Sequence, residues 1–262
     1  GPAEQLELTV NTQPCLLTAA FAIYAAWRAA GGPPPVLMAG HSLGEYTALV
    51  AADSIALEDA LPLVRFRAEV MQHAVPVGVG TMAAILGLDE SAVVAACAEA
   101  AGNEVVEAVN FNAPSQIVIA GHRAAVARAC EISKRLGAKR AVTLAVSVPF
   151  HSSLLAPAAD QLRARLASIE VGPPVVPVIN NVDVAIESDP ARIRDALARQ
   201  AAGAVRWTQI IQAMSERGIT DVIECGPGTV LSGLTRRIVP ALNSLSVSDP
   251  ASLSRALSSL AT

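Results

Sequence analysis

Aromatic side chains make up only 3% of this sequence and charged ones 16%, whereas 52% of its residues are hydrophobic. Disordered chains show the reverse balance, so the composition excludes one. With Ala and Val supplying much of the apolar content, helices packed closely on a sheet are the natural expectation. Long apolar runs are missing too. The most apolar early stretch, Cys15 to Ala30, contains Tyr24 and Arg28, falls short of the ~20 residues a membrane crossing needs, and reads as a buried helix. No basic leader with a cleavage site opens the chain, so we expect a cytoplasmic protein with no membrane contact. Cysteines are few and scattered: Cys15, Cys97, Cys130 and Cys225 form no C-x-x-C pair. That spacing speaks against a metal site and a disulfide framework, and we expect buried thiols. Basic runs are absent and the formal net charge is −4, so nucleic acid is not an expected partner.

What is present is enough for one large domain carrying a smaller insert, since 262 residues can bury a sizeable core. Thr12 with Pro14 marks a helix start, and Gly31-Gly32-Pro33 a stop. Val36 to Ala39 has the pattern of a buried parallel strand, followed by helices near Leu43 to Ala52 and Leu57 to Ala74. The stretch Pro76-Val77-Gly78-Val79-Gly80 reads as a joint. Beyond it the order is strand (81–86), helix (91–101), strand (105–110), a turn at Asn112-Ala113-Pro114, strand (116–120), helix (124–136) and strand (140–146). That β-α-β-β-α-β order is the ferredoxin-like split unit. After Pro149, helices near 156–167, 191–201 and 208–217 alternate with strands at 175–179 and 221–224. A turn at Cys225-Gly226-Pro227-Gly228 then leads into a helix near 229–238. The expected architecture is an α/β parallel-sheet domain over residues 1–77 and 147–262, interrupted by a ferredoxin-like α+β subdomain over 78–146.

Gly40-His41-Ser42-Leu43-Gly44 matches G-x-S-x-G between the expected strand and helix, the hydrolase-like placement that lifts a serine hydroxyl clear of the backbone. The turn should be so sharp that side chains at Gly40 and Gly44 would crowd the neighbouring strand and helix. At the new helix's N-terminus the Leu43 N–H can face an oxyanion. A serine needs a base to remove its proton during attack. His41 adjoins Ser42, but consecutive side chains around such a turn diverge, so a local structural role is expected. His73 and His122 fall at ordinary helical positions. His151 follows the run Val146 to Phe150, where the chain re-enters the main domain, and can hang over the cleft. Arg65 and Arg67 are two apart on one helix and cannot share a face. One of them can reach inward, where a guanidinium requires an anion and its fork suits a carboxylate.

The run Ala39 to Tyr46, with Arg67, Asn110-Phe111-Asn112, Val148-Pro149-Phe150-His151, Asn180-Asn181-Val182-Asp183 and Gly226-Pro227-Gly228, closely resembles the bacterial malonyl-CoA:acyl-carrier-protein transacylases over essentially the whole chain. The resemblance implies that Ser42 is acylated, that His151 is its base, that Arg67 grips the free carboxylate of the malonyl group, and that a main-chain carbonyl at Gln200 holds His151. Asn110, Asn112 and Gln116 become candidate substrate or pantetheine contacts. Phe150 beside His151 goes, in related polyketide acyltransferases, with malonyl rather than methylmalonyl. The implied cycle moves malonyl from malonyl-CoA to a carrier's phosphopantetheine thiol in fatty-acid synthesis, with no metal or redox cofactor. The family also has a leading strand and a Gly-Gln-Gly-Ser segment whose glutamine N–H completes the oxyanion hole. Neither occurs before Ser42, and Gly1-Pro2-Ala3-Glu4-Gln5 resembles a region inside the family's sequence, so half of the hole is expected to be missing.

A serine thioesterase or esterase would share the nucleophile and base, but a cationic clamp has no use on a simple fatty acyl chain. A non-catalytic carrier-docking module would have no need of Ser42, Arg67 and His151 together. Acyl carriers are acidic, so Lys139 with Arg140 and Arg236 with Arg237 are the candidate docking pairs.

Overall fold

The computed structural model describes residues 2–6, 8–146 and 148–260. Ser147, where the large domain is expected to resume, lies outside them. In chain order the elements are α1 (Ala3–Leu6), α2 (Thr9–Ala29), β1 (Met38–Ala39), α3 (Leu43–Ala51), α4 (Leu57–His73), β2 (Gly80–Leu86), α5 (Glu90–Ala101), β3 (Val106–Ala113) and β4 (Gln116–His122). They continue with α6 (Arg123–Arg135), β5 (Arg140–Thr143), a 3-10 turn at Ser153–Leu155, α7 (Ala156–Leu166), β6 (Val178–Ile179), α8 (Pro190–Gln200), α9 (Trp207–Glu216), β7 (Asp221–Cys225), α10 (Val230–Ile238), β8 (Asn243–Val247) and α11 (Pro250–Leu260).

Three sheets result. β1 pairs in parallel with β6, and β7 in parallel with β8, as short apolar strands joined by helical crossovers must. The antiparallel sheet has the order β3-β4-β2-β5, with α5 and α6 packed on one face through Val93, Cys97, Val126 and Ala129. Its opposite face carries Met82, Val109, Val118 and Ala120, against which Phe150 and Leu144 pack. Under the elbow, Leu17, Tyr46, Leu49, Leu63, Leu162 and Leu197 form the largest buried cluster. Each such side chain contributes about 1.5–3 kcal/mol relative to its exposed state.

Some expectations change. α2 begins three residues before Thr12 and takes Pro14 into its interior, and only Gln13, Leu17 and Trp27 of it are buried. It is not the buried helix its hydropathy suggests, because Leu16, Ala20 and Tyr24 line a cavity of about 670 Å³ that also borders β1 and β7. Cys15 is exposed and Cys225 half-buried, and Cys97 and Cys130 alone are fully buried thiols. β3 runs on through Asn112 and Ala113, so the turn falls at Pro114-Ser115. Among the described residues no helix is long and apolar enough to cross a membrane.

Candidate active site

Sheet pairing builds the seat of Ser42. Ala39 is in register with Ile179, which sets Asn181, two residues on, beneath the turn. There Asn181 accepts the Ser42 N–H at its Oδ1 (2.7 Å) and donates from Nδ2 to the Gly40 carbonyl (2.8 Å). These bonds hold Ser42 at φ 52°, ψ −108°, a region that costs about 1–3 kcal/mol for a residue with a side chain. A Cβ on Gly40 would lie 1.9 Å from the Gly44 carbonyl, so only glycine fits there. Gly44 is different from the expectation: a Cβ there meets nothing within 4 Å, because the position borders the cavity.

His151 Nε2 lies 2.7 Å from Ser42 Oγ, and its Nδ1 lies 2.8 Å from the Gln200 main-chain oxygen. A carbonyl can only accept, so Nδ1 carries the proton and the Nε2 lone pair faces the serine hydroxyl. Burial, and then the Arg67 charge, lower the His151 pKa to about 3. The imidazole is thus neutral at ordinary pH, with Nε2 free to accept a proton.

Arg67 is the inward-facing arginine of α4, 2% exposed, while Arg65 pairs with Glu69 at the surface. It donates from Nη1 to Gln13 Oε1 (2.6 Å) and from Nη2 to Gln200 Oε1 (2.9 Å) and Ser42 Oγ (3.0 Å). The Tyr46 ring sits 5.3 Å from its carbon. Arg67 Nε has no hydrogen-bond partner among the described residues. A buried guanidinium without a carboxylate, against the Ser42 hydroxyl, is suited to an incoming anion.

Glu45, Gln13 and Asn181 are site members to which sequence reasoning gave no role. Glu45 Oε2 accepts from Asn181 N (2.9 Å) and Gln200 Nε2 (2.8 Å), and burial lifts its pKa to about 7 despite those bonds and Arg67. Its signal was the S-x-x-E spacing of Ser42 and Glu45 at a helix start. Here the glutamate turns inward instead of capping.

The remaining candidates separate. Leu43 opens α3, so its N–H has no partner within the helix. Asn112 Oδ1 engages His41 Nε2 at 2.8 Å, and His41 also meets the Trp207 ring. Asn110 is buried in β3, where it bridges to Val205. Gln116 Oε1, at the start of β4, accepts from Arg237 (2.6 Å). Arg140 and Gln116 both pair with Leu86, from opposite sides. Lys139 is exposed beside them. Arg236 instead donates to Ser244 O on β8. His73 bonds the Glu69 carbonyl, and His122 accepts from Val105 N, both local contacts.

A serine on a strand-turn-helix elbow with a histidine in line, on an α/β frame, defines the class of enzymes that work through a serine ester. The chain belongs to the acyl transferase domain family, whose model matches residues 1–252. It is 52% identical over 257 residues to the malonyl CoA-acyl carrier protein transacylase of Salmonella typhimurium strain LT2, covering 98% of this chain and 83% of that protein. To the transacylase of that name from Bacillus subtilis strain 168 it is 44% identical, over 99% of this chain and 82% of the relative. Among solved structures, the acyl-carrier-protein S-malonyltransferase of Burkholderia pseudomallei 1710b superposes with a TM-score of 0.97 at 64% identity, covering 98% of this chain and 84% of that one. A malonyl-transacylase in complex with its type II PKS acyl-carrier protein does so with a TM-score of 0.97 at 51% identity, covering 99% of this chain and 84% of that one.

Proposed function

We propose that this chain transfers malonyl from malonyl-CoA to the phosphopantetheine thiol of an acyl carrier protein through an ester on Ser42. The observation that carries this reading is the buried Arg67 guanidinium 3.0 Å from Ser42 Oγ with no carboxylate against it. Malonyl is an acyl group with a free carboxylate, and seating that carboxylate on Arg67 brings the thioester carbon to the serine. Arg67's charge is one reason His151 holds a proton weakly. An arriving carboxylate offsets that charge and makes Nε2 more basic when a substrate is in place.

His151 Nε2 takes the Ser42 proton as Oγ attacks the thioester carbon, and the Leu43 N–H faces the oxyanion. The C–S bond then breaks, and coenzyme A leaves with the proton from His151. In the second half the carrier's thiol gives its proton to His151, attacks the Ser42 ester, and Oγ leaves with that proton. The chemistry uses side-chain and peptide groups throughout, and we assign it no cofactor.

We take residues 78–146 as a small subdomain between the two parts of the large one, 1–77 and 147–262. The carrier docks on the sheet end where Arg140 and Arg237 flank Gln116 and Leu86, with Lys139 beside them. The short path from Gln116 through the paired Ala113 to Asn112, which bonds His41 next to Ser42, supports this placement. Arg236 is tied to β8 and contributes less. Cytoplasm, where coenzyme A thioesters are made and used, is the proposed compartment.

Intact-protein mass after brief exposure to malonyl-CoA tests the reading. The chain should gain about 86 Da, the malonyl ester expected of a serine nucleophile, and Ser42→Ala should gain nothing. The adduct should persist in buffer and leave when phosphopantetheinylated carrier is added. Rapid loss to water would make the chain a hydrolase. An adduct on Ser42→Ala would overturn the assignment of the nucleophile.

A further inference from the structure

Glu45 is the only buried acidic side chain among the described residues, and it touches neither the nucleophile's hydroxyl nor the base. Its Oε2 takes two hydrogen bonds, from Asn181 N and from Gln200 Nε2. Gln200 Nε2 donates as well to the Ser42 carbonyl (2.9 Å), and Gln200 Oε1 accepts from Arg67 Nη2 (2.9 Å). An amide has one donating and one accepting end. The Glu45 carboxylate and the Ser42 carbonyl accept, the guanidinium only donates, and so the amide has one satisfactory orientation. No ion pair joins Arg67 directly to an acid among the described residues. Glu45 reaches the guanidinium only through the Gln200 amide.

We infer that Glu45 is a positioning residue: it holds the Gln200 amide with its oxygen toward Arg67. Without an acceptor at position 45 the Gln200 NH2 keeps only the Ser42 carbonyl as a partner, the amide is held less firmly, and Arg67 loses its fixed line. The geometry for a substrate with a free carboxylate is then lost, while one without it loses only what Ser42 loses. This rests on the reading of Arg67 as the carboxylate clamp, and Arg67→Ala tests that reading separately.

The experiment compares Ser42 acylation by malonyl-CoA and acetyl-CoA in wild type, Glu45→Ala, Glu45→Gln and Arg67→Ala, with thermal midpoints alongside. In Glu45→Ala the malonyl-to-acetyl ratio of kcat/KM should fall about ten- to a hundredfold, the size of a lost charge-assisted hydrogen bond, and the change should lie in KM for malonyl-CoA. Glu45→Gln should recover most of the ratio, since its Oε1 can accept from both Asn181 N and Gln200 Nε2. Should the alanine variant not fold, Glu45→Asp, which keeps the charge but falls one methylene short of Gln200, should show the same drop. Equal losses toward both substrates in these variants would overturn the inference. So would a glutamine variant with a ratio as low as the alanine variant's. If Arg67→Ala leaves the ratio unchanged, the clamp reading itself fails; if Arg67→Ala lowers it and Glu45→Ala does not, only the role of Glu45 fails.

Discussion

His151 and Ser42 meet at 2.7 Å between Nε2 and Oγ, and each holds a left-handed backbone, φ 66° and φ 52°. Neither residue is a glycine, so both conformations depend on their surroundings. The loop before the 3-10 turn that follows His151 is pinned from β3, where both carboxylate oxygens of Glu107 accept from Ser153. Under Ser42 the corresponding support is Asn181.

Asn181→Ala should therefore relax the elbow. The Ser42 N–H and the Gly40 carbonyl would each lose a buried partner, a loss of about 1–3 kcal/mol apiece. Urea midpoints should show the destabilisation, and the rate of Ser42 acylation should fall further than the stability loss explains. An acylation rate equal to wild type below the unfolding transition would refute the dependence.

Glu45 and His151 pull the pH dependence of stability in opposite directions. Burial raises Glu45 from 4.5 to about 7, so the folded protein holds that proton more firmly than the unfolded chain. This contribution is full below pH 4.5 and is lost as pH rises to 7. His151 is lowered from 6.5 to about 3, so its contribution is full above pH 6.5 and is lost as pH falls toward 3. Between pH 4.5 and 6.5 the two offset. Glu45→Gln removes one, and stability should then climb with pH across that window by up to about 1.4 kcal/mol per pH unit more than in wild type. Denaturant midpoints at several pH values would show it, and parallel profiles would contradict it.

Arg67→Lys keeps a positive charge but not a planar fork that serves Gln13, Gln200 and Ser42 at once. KM for malonyl-CoA should rise about tenfold or more, on the scale of one charged hydrogen bond, while acetyl-CoA acylation changes far less. Steady-state kinetics with both thioesters would decide it, a proportional change in both arguing against a carboxylate clamp.

Reversing Arg140 and Arg237 together to glutamate should slow transfer to the carrier through a raised KM and flatten its loss with salt, because rim charges act chiefly on encounter and salt then has less attraction to screen. Loading of Ser42 from malonyl-CoA should be unchanged. Arg236→Glu, at a residue bonded to β8, should have the smaller effect on transfer, and the opposite order would move the docking surface toward β8.

Much of this architecture was legible because its signals are local. The order of elements from Gly80 to Thr143, the strand before Gly40 and the inward turn of one of two arginines follow from periodicity and punctuation. The acyl transferase assignment followed from motifs in combination. What escaped was nonlocal. Gln13 reaches Arg67 across 54 residues and Asn181 reaches Ser42 across 139, and no spacing rule connects them. Asn112 read as a turn residue because Pro114 follows it closely, yet the strand continues and His41 occupies its side chain. The hydropathy of α2 was visible, but the cavity it borders was not.

The acceptor that fixes the His151 tautomer is a peptide oxygen, not a side chain. Every amino acid placed at position 200 brings that oxygen with it, so no single codon change deletes the group, as one would delete an aspartate. The base's orientation is thereby sheltered from point mutation and exposed only to changes that move the end of α8. Selection at residue 200 is left free to act on the side chain alone, whose amide accepts from Arg67.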